Sequence, residues 1–112
     1  MNIQIYSGKK NFDTQKAERF FKERRIPVQM MDLKKHPLGE REIRLMLQQV
    51  GMEQLIDREN PKVKEHPACY YNQENLLIPA IQEAPWLLRT PIVRNGNRVT
   101  VGYQPEIWGK WT

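Results

Sequence analysis

The residues best placed to do chemistry lie in one short stretch, "IYSGKKNFDT", from Ile5 to Thr14. An apolar, strand-like run ends at Tyr6, a glycine and two lysines make a loop, and Asp13-Thr14 open a helical pattern. Many redox enzymes place a nucleophilic cysteine in such a loop, because the dipole of the following helix stabilises the thiolate. This loop contains no cysteine. What it does offer is the free N–H groups of a helix start beside Lys9 and Lys10, a combination suited to holding an anion, although it is not a P-loop.

Cys69, the sole cysteine, sits in "EHPACYY" and forms an H-x-x-C pair with His66. A pair of ligands is too few for a zinc site, and the other histidine, His36, is distant in sequence. We therefore expect no metal, and read Cys69 as a packed or tolerated thiol. Trp86, Trp108 and Trp111 read as core or edge-covering side chains rather than a ligand box.

These candidates need a frame. Asn2 to Tyr6 alternates polar and apolar residues as a strand does. From about Asp13 to Arg25, Ala17, Phe20 and Phe21 form an apolar helical stripe, with Asp13 or Thr14 as the cap. "PVQMMDL" from Pro27 is a second strand, which completes a βαβ unit with parallel strands and a right-handed crossover. Gly39 to Val50 predicts a helix, with Ile43, Met46, Leu47 and Val50 on one face, a Glu40–Arg44 pair outside and Gly51 as its stop. Residues 52–86 predict shorter helices broken by Pro61, Pro67, Pro79 and Pro85. The chain then returns to strand at Ile92-Val93, turns at Asn95-Gly96 as a type I′ hairpin, and continues over Arg98 to Val101. A last helix over Pro105 to Trp108 is expected to lay Ile107 and Trp108 on the sheet.

Composition bounds these readings. A chain of 112 residues is expected to hold one core and one domain. Hydrophobic residues at 39% and charged residues at 28% suit a soluble globular chain, and no run approaches the roughly 18 apolar residues of a membrane span. "MNIQIYSG" carries no export pattern, so a cytoplasmic location is expected. Of the 18 Lys/Arg, nine fall in residues 1–35 against four acids, while residues 36–112 hold nine of each sign, so the net charge of +5 is N-terminal. No aromatic residues alternate with these charges, which argues against direct nucleic-acid binding and for a solvated basic helix face.

The order β-α-β, helical block, β-β-α is that of a thioredoxin-like fold. With it, "IQIYSGKKNFDTQKAERFFKERRI", "DLKKHPLGEREI" and above all "LLRTPIVRNGNRVTVGYQPEIW" resemble the arsenate-reductase-like family, which includes the ArsC reductases and the Spx regulators. The likeness extends in particular to small ArsC-related proteins with a "KKCFDT" loop and a "GYCPE" segment. It implies an α/β fold with a mixed sheet of about four strands, a core formed by residues 1–37 and 87–112, and a helical insertion over 38–86.

The resemblance puts the family's nucleophilic cysteine on Asn11 and a second cysteine on Gln104. A carboxamide cannot form a mixed disulfide or a thiol–arsenate adduct. The arginines that surround the oxyanion in ArsC reductases fall on Thr90, Tyr103-Gln104 and Asp57, with Arg58 and Arg89 one residue away. The resemblance also implies a cis Thr90-Pro91 bond facing the loop. Arsenate reduction is therefore not expected. The expected ligand-contacting set is Lys9, Lys10, Asn11, Arg58, Arg89, Thr90 and Pro91, with Ser7, Lys10 and Thr14 as helpers to any chemistry.

Three readings compete. The first is a redox-inactive domain that binds a protein or a small thiol or anionic ligand, with no cofactor. The second is a thiol-dependent enzyme to which glutathione or a partner supplies the sulfur, with Ser7, Lys10, Asn11 and Thr90 positioning it. The third is a regulator that, like Spx, contacts RNA polymerase.

Overall fold

The computed structural model describes residues 1–9 and 11–111; Lys10, one of the sequence candidates, lies outside the described residues. Its centre is β1 (Ile3–Ser7), which pairs in parallel with β2 (Val28–Asp32) on one side. On the other side it pairs antiparallel with β3 (Ile92–Asn95), and β3 pairs antiparallel with β4 (Arg98–Val101). The sheet order is β2-β1-β3-β4, the mixed four-stranded arrangement of a thioredoxin-like fold.

Side chains alternate across a strand, so each face of the sheet recruits its own layer. Ile3, Ile5 and Val93 pack against Ala17, Phe20 and Phe21 of α1 (Phe12–Glu23) and against Trp108 near the chain's end. The opposite face, with Tyr6, Ile92 and Val101, is covered by α2 (Glu40–Val50) and the shorter helices that follow it. These are α3 (Met52–Leu55), α4 (Pro61–Lys64) and α5 (Glu74–Glu83), and α6 (Pro105–Trp111) closes the first face. Trp108 is fully buried there, and its indole Nε1 donates to Thr100 Oγ1 at 2.8 Å, so burial leaves no polar atom of the ring unpaired. No helix among the described residues is long and apolar enough to cross a membrane.

Several local expectations give way. The cap of α1 is Asn11 rather than Asp13 or Thr14, because Asn11 keeps an extended backbone and its side chain accepts from Thr14 N at 2.7 Å. Pro61, Pro67 and Pro85 do not break helices but open them, at the first turn where a missing N–H costs nothing. Pro79 sits inside α5. The β3–β4 turn is one residue later than expected: Asn95 pairs with Arg98, leaving Gly96-Asn97 at the tip. Gly96 alone has positive φ, the pattern of a type II′ turn rather than type I′. Trp108 lies on the sheet but Ile107 points outward and is exposed, since consecutive helical residues cannot share one face.

Candidate functional site

Beyond the end of β1 the chain opens into a cleft of about 620 Å³. Gly8, Lys9 and Asn11 form one side, Leu33, Lys34 and Pro37 a second, and Asp57, Asn60 and Lys62 a third. Trp86, Leu88 and Thr90 complete it, with Gln82 and Pro85 beside them.

Each side is fixed by local hydrogen bonds. After β2, Asp32 folds the chain back on itself, its Oδ1 accepting from Lys34 N at 2.9 Å and its carbonyl from His36 N at 2.7 Å, which turns Lys34 and Pro37 toward the cleft. Gln82 Nε2 donates to Leu38 O at 3.3 Å and ties that loop to α5. The helical segment is held to the chain leading into β3 by Asp57 N to Leu87 O at 2.9 Å and Arg89 N to Leu55 O at 2.8 Å, so Asp57 and Leu88 share one wall. Asn60 caps α4 by accepting from Lys62 N at 3.0 Å, and Lys62 Nζ stands 4.4 Å from the centroid of the Trp86 ring.

Asn11 is the residue on which two of these sides meet. Its Oδ1 closes the start of α1, and its Nδ2 donates to Thr90 Oγ1 at 3.1 Å across 79 residues of sequence. Both halves of the carboxamide are therefore in use, one as cap and one as bridge. The Thr90-Pro91 bond is cis, Pro91 is buried, and its carbonyl accepts from Gly102 N at 2.9 Å.

The sequence candidates divide on this geometry. Lys9, Asn11 and Thr90 line the cleft. Arg58 and Arg89 are not among its lining residues; the Nε of each is buried without a hydrogen-bond partner. Ser7 ends β1, where its carbonyl accepts from Leu33 N at 2.9 Å. Thr14 is buried on the first turn of α1, and its hydroxyl has no partner. Gln104 lies before α6 and binds Val101 O at 3.1 Å, outside the cleft. Cys69 is buried, in the same core cluster as Ile43 and Met46 of α2 and Leu77 and Ile81 of α5. His66 Nδ1 accepts from Ala68 N at 3.0 Å, which occupies that nitrogen in a local turn. Among the described residues no group of three or more metal-ligating side chains gathers.

Sequence reasoning missed Lys34, Lys62 and Trp86 as members of this site. Lys34, in the turn after β2, and Lys62, in α4, belong to separate segments joined only by tertiary pairing, and Trp86 resembles any other core aromatic until its surroundings are known. The one sequence signal was the Asn60-Pro61 helix start that aims Lys62.

Next to the cleft, a polar cluster fastens the loop after β2. Glu42, on the first turn of α2, accepts from Gly39 N at 3.1 Å and from the Tyr6 hydroxyl at 2.8 Å, and His36 Nε2 lies 3.4 Å from it. Burial pushes the Glu42 carboxyl up, but these bonds outweigh it and hold the group below its ordinary value. Burial and the bond to Glu42 together push the Tyr6 hydroxyl up to about 12.

The comparisons agree with this architecture. The model of the ArsC family matches residues 6–111. The chain belongs to the ArsC family. Among solved structures, the YffB protein superposes with a TM-score of 0.83 at 18% identity, with 96% of each chain covered. An arsenate reductase from Vibrio cholerae gives 0.82 at 20% identity, with 98% of this chain and 97% of that one covered. The glutaredoxin-like NrdH-redoxin from Escherichia coli gives 0.52 at 14% identity over 100% of this chain and 96% of that one. At these identities the likeness concerns the fold alone. No curated protein matches the chain. As an ArsC-family member, the protein carries at the start of α1 a carboxamide engaged in two hydrogen bonds, beside a cis proline, at the mouth of an open cleft.

Proposed function

We propose that this ArsC-family protein works by binding a ligand in the cleft rather than by thiol chemistry. The observation that carries the reading is Asn11. In the family resemblance it stands where the nucleophilic cysteine is expected, and here both of its polar atoms are committed to structure. A carboxamide has no lone pair basic enough to attack a disulfide or an arsenate. The chain's sole thiol, Cys69, is buried in the core and is not a lining residue of the cleft, so it does not stand in for the missing sulfur. The cleft itself keeps the features of a binding site: an apolar lining, converging charged groups and a shape held by hydrogen bonds on every side. A single buried cysteine suits a reducing compartment such as the cytoplasm.

The test has two arms. The purified protein is assayed for glutathione-dependent reduction of a small disulfide and of arsenate, and no turnover is expected. Asn11→Cys is then titrated for its thiol pKa. A value well below the ordinary 8.5 or so would mean that the start of α1 still activates a thiolate, and that the loss of chemistry lies in the side chain alone. Turnover by the protein with Asn11 in place overturns the proposal.

A further inference from the structure

We infer that the cleft takes an organic anion with a flat apolar body, its charge held by Lys9, Lys34 and Lys62 and its body laid against Trp86. This ligand class rests on the reading of the cleft as a binding site without a thiol.

Size comes first. The cleft, at about 620 Å³, has room for about twenty waters at their liquid volume of about 30 Å³ each. That is the size of a site for a drug-sized molecule, far more than a tetrahedral oxyanion fills.

Charge comes next. Lys9, Lys34 and Lys62 reach the cleft from three separate segments, and among the described residues the only lining carboxylate is Asp57. Among the described residues none of the three lysines has an ion-pair partner; the ion pairs present join His36 to Glu42 and Arg44 to Glu40 and Glu74. Three cations without an ion-pair partner, against one carboxylate, leave an excess of positive charge in a concave, partly apolar space, where the field is focused. An anion is the complementary occupant.

The body of the ligand follows from what separates the charges. Leu33 and Pro37 on one side and Leu88 and Trp86 on the other are apolar. Trp86 is 38% exposed, unlike the fully buried Trp108, and its ring already receives a cation in Lys62 at 4.4 Å. A flat ring presented to Trp86 would stack while its anionic group met Lys62. Neither a bare oxyanion nor an uncharged ring uses both sets of residues.

The experiment uses the whole protein, labelled for two-dimensional NMR, and titrates three probes at pH 8: 1-naphthyl phosphate, 1-naphthol and inorganic phosphate. The phosphate ester is a dianion at that pH, since its second pKa is about 6. Saturable binding of 1-naphthyl phosphate is expected, with shifts at the backbone of Gly8 and Lys9 and at the Trp86 indole, and with affinity at least about tenfold above either half-probe. Lys62→Gln and Lys9→Gln, both exposed surface changes, are each expected to weaken it roughly two- to fivefold, and Trp86→Leu roughly tenfold. Arg19→Gln, on the outer face of α1 and away from the cleft, is expected to leave it unchanged.

Inorganic phosphate or 1-naphthol binding as tightly as the ester overturns the inference, as does an equal effect of Arg19→Gln, which would mean attraction by net charge alone. Absence of saturable binding overturns the ligand class without touching the proposal that the site lacks thiol chemistry. Turnover of disulfide with the ester still bound would do the reverse.

Discussion

The Tyr6 hydroxyl donates to Glu42 Oε2 at 2.8 Å and so joins the central strand to the first turn of α2. This bond makes stability depend on pH at both ends of the scale. The Glu42 carboxyl is held below its ordinary value: burial raises it, but the donors from Gly39, Tyr6 and His36 outweigh burial. Its contribution is present above the unfolded-state pKa and is lost as pH falls through the folded one. Tyr6 is pushed from 10.0 to about 12, by burial first and then by Glu42, with Arg94 pulling the other way. Its contribution is present below pH 10.0 and is lost as pH rises from there to about 12. Urea midpoints measured from pH 3 to 12 should show a plateau between about 5 and 10 with a fall on each side. Tyr6→Phe should remove its share of the alkaline fall and shrink the acid one, because Glu42 loses a donor. A variant curve parallel to the wild type at every pH would refute the coupling.

Asn11 caps α1 and reaches Thr90 with the same side chain. Replacing it by alanine removes the acceptor for Thr14 N and the bridge together, and is expected to cost about 0.5–2 kcal/mol in urea unfolding. Asn11→Asp keeps an oxygen for the cap, and the Thr90 hydroxyl can rotate to donate to the second oxygen, so that variant should stay close to wild type. If Asn11→Ala unfolds at the same urea concentration as the wild type, the side chain is not holding this junction.

The fold was largely legible in sequence because its signals are periodic. Ile3 and Ile5 mark β1, and Ala17, Phe20 and Phe21 mark α1 by the stripe that packs under the sheet. Chain segments with weaker periodicity were misread in predictable ways. Pro61, Pro67 and Pro85 look like breakers one at a time, yet each opens a short helix, because a proline's missing N–H is harmless only at that place. The Asn95-Gly96 pair suggested a turn, but the register of β3 on β4 put the tip at Gly96-Asn97. The candidate site was legible only where it is local. Lys9 and Asn11 are near neighbours on one loop, and Thr90 came from the family resemblance. Lys34, Lys62 and Trp86 were not foreseen, since their convergence depends on long-range hydrogen bonds that no sequence pattern announces: Gln82 Nε2 to Leu38 O for the loop that carries Lys34, and Asp57 N to Leu87 O and Arg89 N to Leu55 O for Lys62 and Trp86.

Two positions with positive φ should respond to substitution in opposite directions. α1 ends with Arg25 at φ 56, and the chain leaves through paired bonds, Arg25 N to Lys22 O at 3.0 Å and Ile26 N to Phe21 O at 2.9 Å. Those two bonds are the ones a Schellman ending makes, and its left-handed residue is usually glycine. An arginine there carries a steric penalty, so Arg25→Gly should stabilise the protein by about 0.5–1 kcal/mol after the extra freedom of glycine in the unfolded chain is counted. Gly51 is the converse case. It joins α2 to α3 at φ 81, ψ 155, a region open almost only to glycine. A Cβ at that position would meet nothing within 4 Å, so any cost of filling it must come from the backbone and not from a clash. Gly51→Ala should lose about 1–3 kcal/mol. Asparagine separates the two sites, because it tolerates the left-handed helical region but not the extended one: Arg25→Asn should recover part of the gain, whereas Gly51→Asn should be no better than alanine. Equal urea midpoints for wild type, Gly51→Ala and Gly51→Asn would mean that the α2–α3 junction relaxes to another backbone conformation.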